Sequence, residues 1–372
     1  MKFSIKQKNF FKNLQKVNSI IIKNNVNPIL ENIIIKFKKN FLLLISSSND
    51  IELIIKTKKF FGKCTSEISV LGNKIFEICK ILPKDSILDI ILKNKKILIK
   101  SDKSIFQLLT LKTKNFPRFK KDNLKKIFSI QSNILKNMID YTYFSISNND
   151  IRNYFNGLLL KFNNFNRIFC TTSTNGHRLS YYYTKISTNV KKFLDFSIII
   201  PRKSVLELNK IISFKTNKII DIFLNENSVS FKTENITFTS KIIHEKFPNF
   251  KKIFIKKPYF KIKINRKKLK KYLSYASILS HQLTKGVYIK FKKNGICVIK
   301  SHNQEENVIS KFNFNYFKKT IKISINVNYL LNVINILKNK YIIFKLKKKN
   351  LQIQIEDPKI KELKYIIMPL QI

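Results

Sequence analysis

Three pairs of neighbouring carboxylates, Asp50 with Glu52, Glu305 with Glu306, and Glu356 with Asp357, are by type the groups in this chain best suited to hold metal ions. An enzyme acting on nucleic acid needs such groups clustered, because two bound cations clamp the attacking and leaving oxygens of an in-line displacement. These pairs fall in separate parts of the sequence, so a bimetal centre would have to be assembled by the fold, and that alternative stays open. A GxxxxGK loop, whose backbone N–H groups would cradle phosphates, is absent. The densest polar run is Thr174-Asn175-Gly176-His177-Arg178-Leu179. One reading makes His177 a general base, but no GxSxG elbow or cysteine-nucleophile motif accompanies it. The competing reading is a glycine-bearing turn into a strand, with His177 and Arg178 bonded to neighbouring backbone. Cys64, Cys79, Cys170 and Cys297 lack CxxC spacing and histidine neighbours, which points to reduced, mostly buried thiols and not to zinc or disulfides. The expectation is no catalytic residue, no metal and no cofactor.

The elements that position these groups come from an internal repeat. Phe116-Pro117-Arg118-Phe119-Lys120-Lys121 recurs as Phe247-Pro248-Asn249-Phe250-Lys251-Lys252, and Met368-Pro369-Leu370 gives a third proline-centred segment. Phe3-Ser4-Ile5, Phe128-Ser129-Ile130 and Ile262-Lys263-Ile264 are echoes at similar offsets, each leading into a helical pattern. A second helical pattern recurs over 73–82, 203–212 and 328–337, each directly after a short β-branched run. Leu269, Tyr272, Leu273 and Ala276 mark one apolar stripe; Phe10, Phe11, Leu14 and Val17 mark another. Strands are expected at 3–5, 33–35, 41–45, 53–55, 87–92, 97–99, 105–111, 158–162 and 167–171, a helix at 134–143, and another opening on Pro201. Each repeat is thus two helices against antiparallel sheet, an α+β class. The expected domains are 1–126, 127–258 and 259–372, each the size of an ordinary domain.

With 44% hydrophobic residues and 32 phenylalanines the chain can fill three cores. Its formal net charge of +51 favours an anionic partner such as nucleic acid. Lysine, asparagine, isoleucine and phenylalanine are inflated together while glycine and tryptophan are scarce, the mark of A+T-biased codons, so part of that charge covers solvated faces. The opening MKFSIKQKNF has no apolar core, and no run of about 18 uncharged apolar residues occurs. A soluble, cytoplasmic protein is expected.

Several motifs stand in one order along the whole chain: Met1-Lys2-Phe3, Pro28-Ile29-Leu30, Asn153-Tyr154-Phe155-Asn156-Gly157, Thr174 to Leu179, Ile199-Ile200-Pro201-Arg202-Lys203, Phe238-Thr239-Ser240-Lys241, Lys246-Phe247-Pro248, Ala276 to Ser280, Gln354-Ile355-Glu356-Asp357 and Met368-Pro369-Leu370. As a set they resemble the bacterial DNA polymerase III beta subunit family, the sliding clamps. The resemblance implies three repeated DNA-clamp domains, and a head-to-tail homodimer whose six domains form a ring around duplex DNA, helices lining the hole and sheets outside. Such a protein is a non-catalytic processivity subunit in DNA replication. Its partners are double-stranded DNA read without sequence preference, itself, the polymerase III catalytic subunit, the clamp loader and other proteins with a clamp-binding motif; no membrane is involved. A basic DNA-binding protein that keeps the fold but has lost ring closure or partner binding is the alternative.

By matched position the resemblance places a partner-peptide cleft at Phe155, Thr174, Gly176, His177, Arg178, Leu179, Pro248, Lys252, Ile253, Asn326, Tyr329, Ile366, Met368, Pro369 and Leu370. Apolar anchors with a few polar groups suit an extended peptide. Lys23, Asn24, Asn149 and Tyr154 match positions used near DNA, and the helix lysines Lys12, Lys16, Lys136, Lys267 and Lys271 suit a sliding surface. The implied ring seam sets Phe106 and Leu108 of one protomer against Ile278 and Leu279 of its partner, with Lys74 and Lys103 facing Glu305 and Glu306. Asn175, Lys252 and Gln371 depart from the family's acidic, arginine and basic residues, a change that bears on partner preference.

Overall fold

The structure is a computed structural model that describes residues 2–21, 27–38, 40–58, 60, 66–93, 95–119, 123–186, 195–212, 218–303, 306–316, 319–347 and 352–370. Among the described residues, apolar side chains at every third or fourth position build six α-helices: α1 (Gln7–Asn18), α2 (Gly72–Ile81), α3 (Ser132–Thr142), α4 (Arg202–Ile211), α5 (Arg266–Ile278) and α6 (Val327–Ile336). On α1 the buried stripe is Phe10, Leu14 and Val17, and Phe11 stacks on Phe76 of α2 at 5.3 Å between ring centroids. On α5 it is Leu269, Leu273 and Ala276. Asn265 and Asn326 cap α5 and α6, their side chains accepting backbone N–H bonds from the first turns.

The chain divides into two compact units, one of 1–136 with 203–242, the other of 137–202 with 243–372. The first holds a twelve-stranded sheet, antiparallel at each pairing. Its middle is the pairing of Ile51–Thr57 with Ile236–Lys241, in which Leu53 faces Phe238 and Glu52 faces Thr239. A strand of the first repeat is thereby joined to one of the second. Glu52 is buried there, and Arg118 Nε reaches its Oε2 at 2.6 Å. Beside it Phe116, from the first proline motif, packs on Ile34, Ile45 and Ile54.

The second unit holds an eight-stranded and a four-stranded antiparallel sheet. In the larger one Arg178–Lys185 pairs with Leu363–Ile367, joining second and third repeats. Its core runs from α5 and α6 through the four-stranded sheet to Phe344, Leu363 and Tyr365. Pro201, expected to open a helix, instead ends the strand Phe196–Pro201, and α4 begins one residue later. That strand is the outermost of its sheet, where a residue without an N–H is tolerated. Tyr143 falls just outside α3, in a short 3₁₀ turn. Arg167 lies before its strand at φ 54°, in the left-handed region of a tight connection. Cys79, Cys170 and Cys297 are buried free thiols, pushed up in pKa by burial; Cys64 lies outside the described residues.

Candidate functional site

The polar run at 174–179 is the turn between Ile168–Thr174 and Arg178–Lys185. Gly176 sits at φ +87°, a conformation that an L side chain strains to adopt. Asn175 holds the turn closed: its Oδ1 accepts from His177 N at 3.2 Å and from Arg178 N at 3.1 Å, while Nδ2 donates to the Tyr329 hydroxyl at 3.2 Å. Thr174 Oγ1 donates to the Arg178 carbonyl at 2.6 Å and accepts from Gly176 N at 3.1 Å. The carbonyl of the exposed His177 accepts from Met368 N at 2.9 Å. These are the bonds of a structural turn. Among the described residues no three His, Cys, Asp or Glu side chains come together.

Alternation along the strands sorts the expected cleft residues onto faces. Thr174 pairs with Leu179, and Leu179 with Ile366, so these three share one face together with Tyr181 two residues on. The short helix Lys251–Ile253 is tied over the same part of the sheet. Gln352 Nε2 donates to the Ile253 carbonyl at 2.7 Å, and Ile255 N donates to Oε1 of Gln354, the residue paired with Ile366. Lys252 is exposed on that helix and Ile253 half-buried. The rim is completed by the half-buried Met368, Pro369 and Leu370; Leu370 N donates to the Ser324 carbonyl at 2.8 Å. Asn326 caps α6 below it and donates to the Thr284 carbonyl. Phe155 is buried, with the Arg152 guanidinium 4.3 Å from its ring centroid.

Arg178 differs. It belongs to the opposite face, where its guanidinium lies 4.5 Å from the Tyr329 ring centroid and 5.5 Å from that of Phe144, with Nη2 donating to the Phe144 carbonyl. Nε and Nη1 are buried without an acceptor. Burial pushes the guanidinium down to about 10, so the charge persists at neutral pH. Arg178 therefore props the turn from behind. Pro248, exposed, lines a neighbouring cavity of 450 Å³ on the Tyr181 face. Tyr181, Phe250 and Gln354 were not among the expected site residues; the i+2 step from Leu179 to Tyr181 is the signal that points to the first.

Among the helix lysines, Lys12, Lys267 and Lys271 are exposed, and Lys271 lies 5.7 Å from the Tyr272 ring. Lys16 is half-buried; burial, then the ammoniums of Lys12 and Lys218, hold it below the usual lysine range. Lys136 donates to Asn209 Oδ1 at 2.7 Å. Asn149 is exposed, and Tyr154 packs edge-on against Phe155. Lys23 and Asn24 lie outside the described residues.

Each unit also has an open strand edge among the described residues. In the first, Ser104–Leu111 pairs along one side with Lys96–Ser101, and its other side meets Ser66–Leu71 only at Thr110 and Leu111. Phe106 and Leu108 are half-buried on that strand, and Lys74 and Lys103 are exposed. In the second unit, Asn307–Asn313 is an outermost strand whose described partner strand is Ile296–His302. Ile278 is 76% exposed, Leu279 is half-buried, and Glu306 accepts from Asn303; Glu305 lies outside the described residues.

Repeated helix pairs on antiparallel sheet, with strands of one repeat paired to strands of the next, define a class, the DNA sliding clamps. Models of the N-terminal, central and C-terminal domains of the DNA polymerase III beta subunit match residues 1–120, 129–249 and 251–371. The beta sliding clamps of Buchnera aphidicola subsp. Rhopalosiphum padi and Pseudomonas aeruginosa are 37% and 27% identical, each match covering 100% of both chains. A crystal structure of the Pseudomonas aeruginosa sliding clamp, DNA polymerase III subunit beta, superposes with a TM-score of 0.94 at 27% identity over 100% of both chains. The chain belongs to the DNA polymerase III beta subunit family. It is a sliding clamp of three clamp domains, a processivity subunit and not an enzyme; the reading as a clamp-fold protein that has lost that role is not favoured.

Proposed function

We propose that two copies of this chain close head to tail into a ring around duplex DNA. The observation that carries this is a pair of open stretches, Ser104–Leu109 of the strand Ser104–Leu111 in one unit and the outermost strand Asn307–Asn313 in the other, each flanked by unburied apolar side chains. An unpaired edge is a template for another strand. Two different edges on one chain make a heterologous contact, which closes into a ring when the rotation allows. Phe106 and Leu108 meet the partner's Ile278 and Leu279, and Lys74 and Lys103 face Glu305 and Glu306. The domains are 1–126, 127–258 and 259–372, and the protein works in the cytoplasm; no helix among the described residues is long and apolar enough to cross a membrane.

Sliding needs positive charge without base-specific bonds, so that each step exchanges equivalent phosphate contacts. Lys12, Lys16, Lys136, Lys267 and Lys271, with Lys23, supply that charge, and Asn24, Asn149 and Tyr154 add neutral hydrogen-bonding groups beside the DNA. The cleft of Thr174, Leu179, Ile253, Ile366 and Met368, braced by Arg178 and Tyr329, takes an extended peptide from the polymerase, the clamp loader or another client. The deciding experiment loads the protein onto nicked circular DNA with a clamp loader and ATP, washes at high salt and then linearises the DNA. Retention on circles and release on cutting is the expected result. Salt-resistant retention on linear DNA refutes topological binding.

A further inference from the structure

The two copies of the Phe-Pro motif meet different surroundings. Phe116 is 4% exposed, seated on three isoleucines. Phe247 and Phe250 are only half-buried and border the 450 Å³ cavity instead of filling it. Its floor is Tyr181, which contacts Phe250 at 5.6 Å between centroids and is pushed up in pKa by burial. Its rim carries the exposed lysines Lys161, Lys246 and Lys251, and no carboxylate among the described residues lines it. The nearest acids in sequence are engaged: Glu245 accepts from Asn153 and from Tyr154 N, and Asp195 accepts from Asn164 N. The cavity therefore presents aromatic and aliphatic side chains interspersed with Asn163, Asn166, Ser197 and Asn249, under positive charge that no lining carboxylate among the described residues offsets.

We propose that this cavity extends the peptide cleft and takes an acidic, aromatic flank of the same partner peptide. The inference rests on the cleft reading given under the proposed function. Two observations fix the occupant. The wall is shared, since the segment containing Pro248 and Lys251 continues into Lys252 and Ile253 of the cleft, and Tyr181 comes after Leu179 on one sheet face. The charge is complementary, since three ammoniums on a rim without carboxylates favour acidic side chains beside the ring that fills the pocket.

The test compares fluorescent peptides binding to the full-length protein: the clamp-binding segment of the genome's own polymerase III catalytic subunit, and that segment extended at either end by Asp-Phe-Glu. One extension should tighten binding about tenfold at moderate salt, from ring burial and exposed ion pairs together. Lys161→Glu with Lys246→Glu should abolish that gain while leaving the unextended peptide's affinity unchanged, and a photoreactive phenylalanine in the extension should crosslink within 246–251. If neither extension gains affinity, or the gain survives in the double variant, the extended cleft is wrong. If the unextended peptide itself fails to bind, the cleft reading falls first and this inference with it.

Discussion

Removing Arg118 tests how the first two repeats are held together. Glu52 sits in the middle of the twelve-stranded sheet with its side chain 1% exposed, one oxygen on Arg118 Nε at 2.6 Å and the other buried without a partner. Arg118→Met leaves the carboxylate with no counter-charge, and breaking one side of a buried pair costs about 3–5 kcal/mol. Arg118 is itself 33% exposed, so water replaces part of what is lost and the lower end, about 3 kcal/mol, is expected. Pairing it with Glu52→Met removes the stranded charge, and the double variant should recover to within about 1 kcal/mol of the parent or exceed it. Urea unfolding of the four proteins gives the cycle. A cost below about 1 kcal/mol for Arg118→Met would refute the argument, since it would mean that the site admits water freely.

Ile278→Ala with Leu279→Ala should halve the solution mass measured by light scattering, and an unchanged mass counts against the seam. In Gly176→Ala the new Cβ makes ordinary van der Waals contacts, 3.5 Å from Arg152 Nη2 and 3.6 Å from a Phe155 ring carbon, so only the backbone resists. A destabilisation of about 1 kcal/mol in urea unfolding, with weaker peptide binding, is expected, and no change in either rejects the strained turn. Lys16→Met bears on pH. Because the folded state holds Lys16 below its unfolded value, the unfolded chain binds more protons between the two, and stability rises with pH across that window towards about 10.4. The methionine variant should be less sensitive to alkaline pH in urea unfolding than the parent, and equal slopes would contradict the assigned burial.

Helix stripes were legible because their signal is local: Leu269, Leu273 and Ala276 already point inward in the sequence, and they do so in α5. The repeat was legible for the same reason, since Phe116-Pro117 and Phe247-Pro248 match by type. Pairing between repeats was not. Nothing in Ile51–Thr57 announces Ile236–Lys241 as its neighbour, because an edge is completed by backbone groups that all residues share. The parity of the expected cleft residues was hidden too: Arg178 and Leu179 are adjacent in sequence, yet only the strand assignment shows that they face opposite ways.

The proline motif shows how far local sequence reaches. A proline fixes φ and withdraws a donor, so each copy is bound to leave a ladder near it, but the packing of its flanking residues depends on the facing sheet. Over Ile34, Ile45 and Ile54 the first copy closes a core, and its arginine answers the buried Glu52. Over Tyr181 the second copy has Asn249 in place of that arginine, whose side chain accepts from Lys251 N of its own segment, and the wall stays half-open. In the third, Met368 N still bonds the His177 carbonyl on the larger sheet while Leu370 N bonds Ser324 on the smaller one. Pro369, with no N–H to give to either ladder, stands at the crossing. The same proline-centred pattern thus seals one sheet, borders a cavity on the second and carries the chain across at the third. Only the last two carry residues of the proposed cleft, Pro248 and Lys252 in the second and Met368, Pro369 and Leu370 in the third.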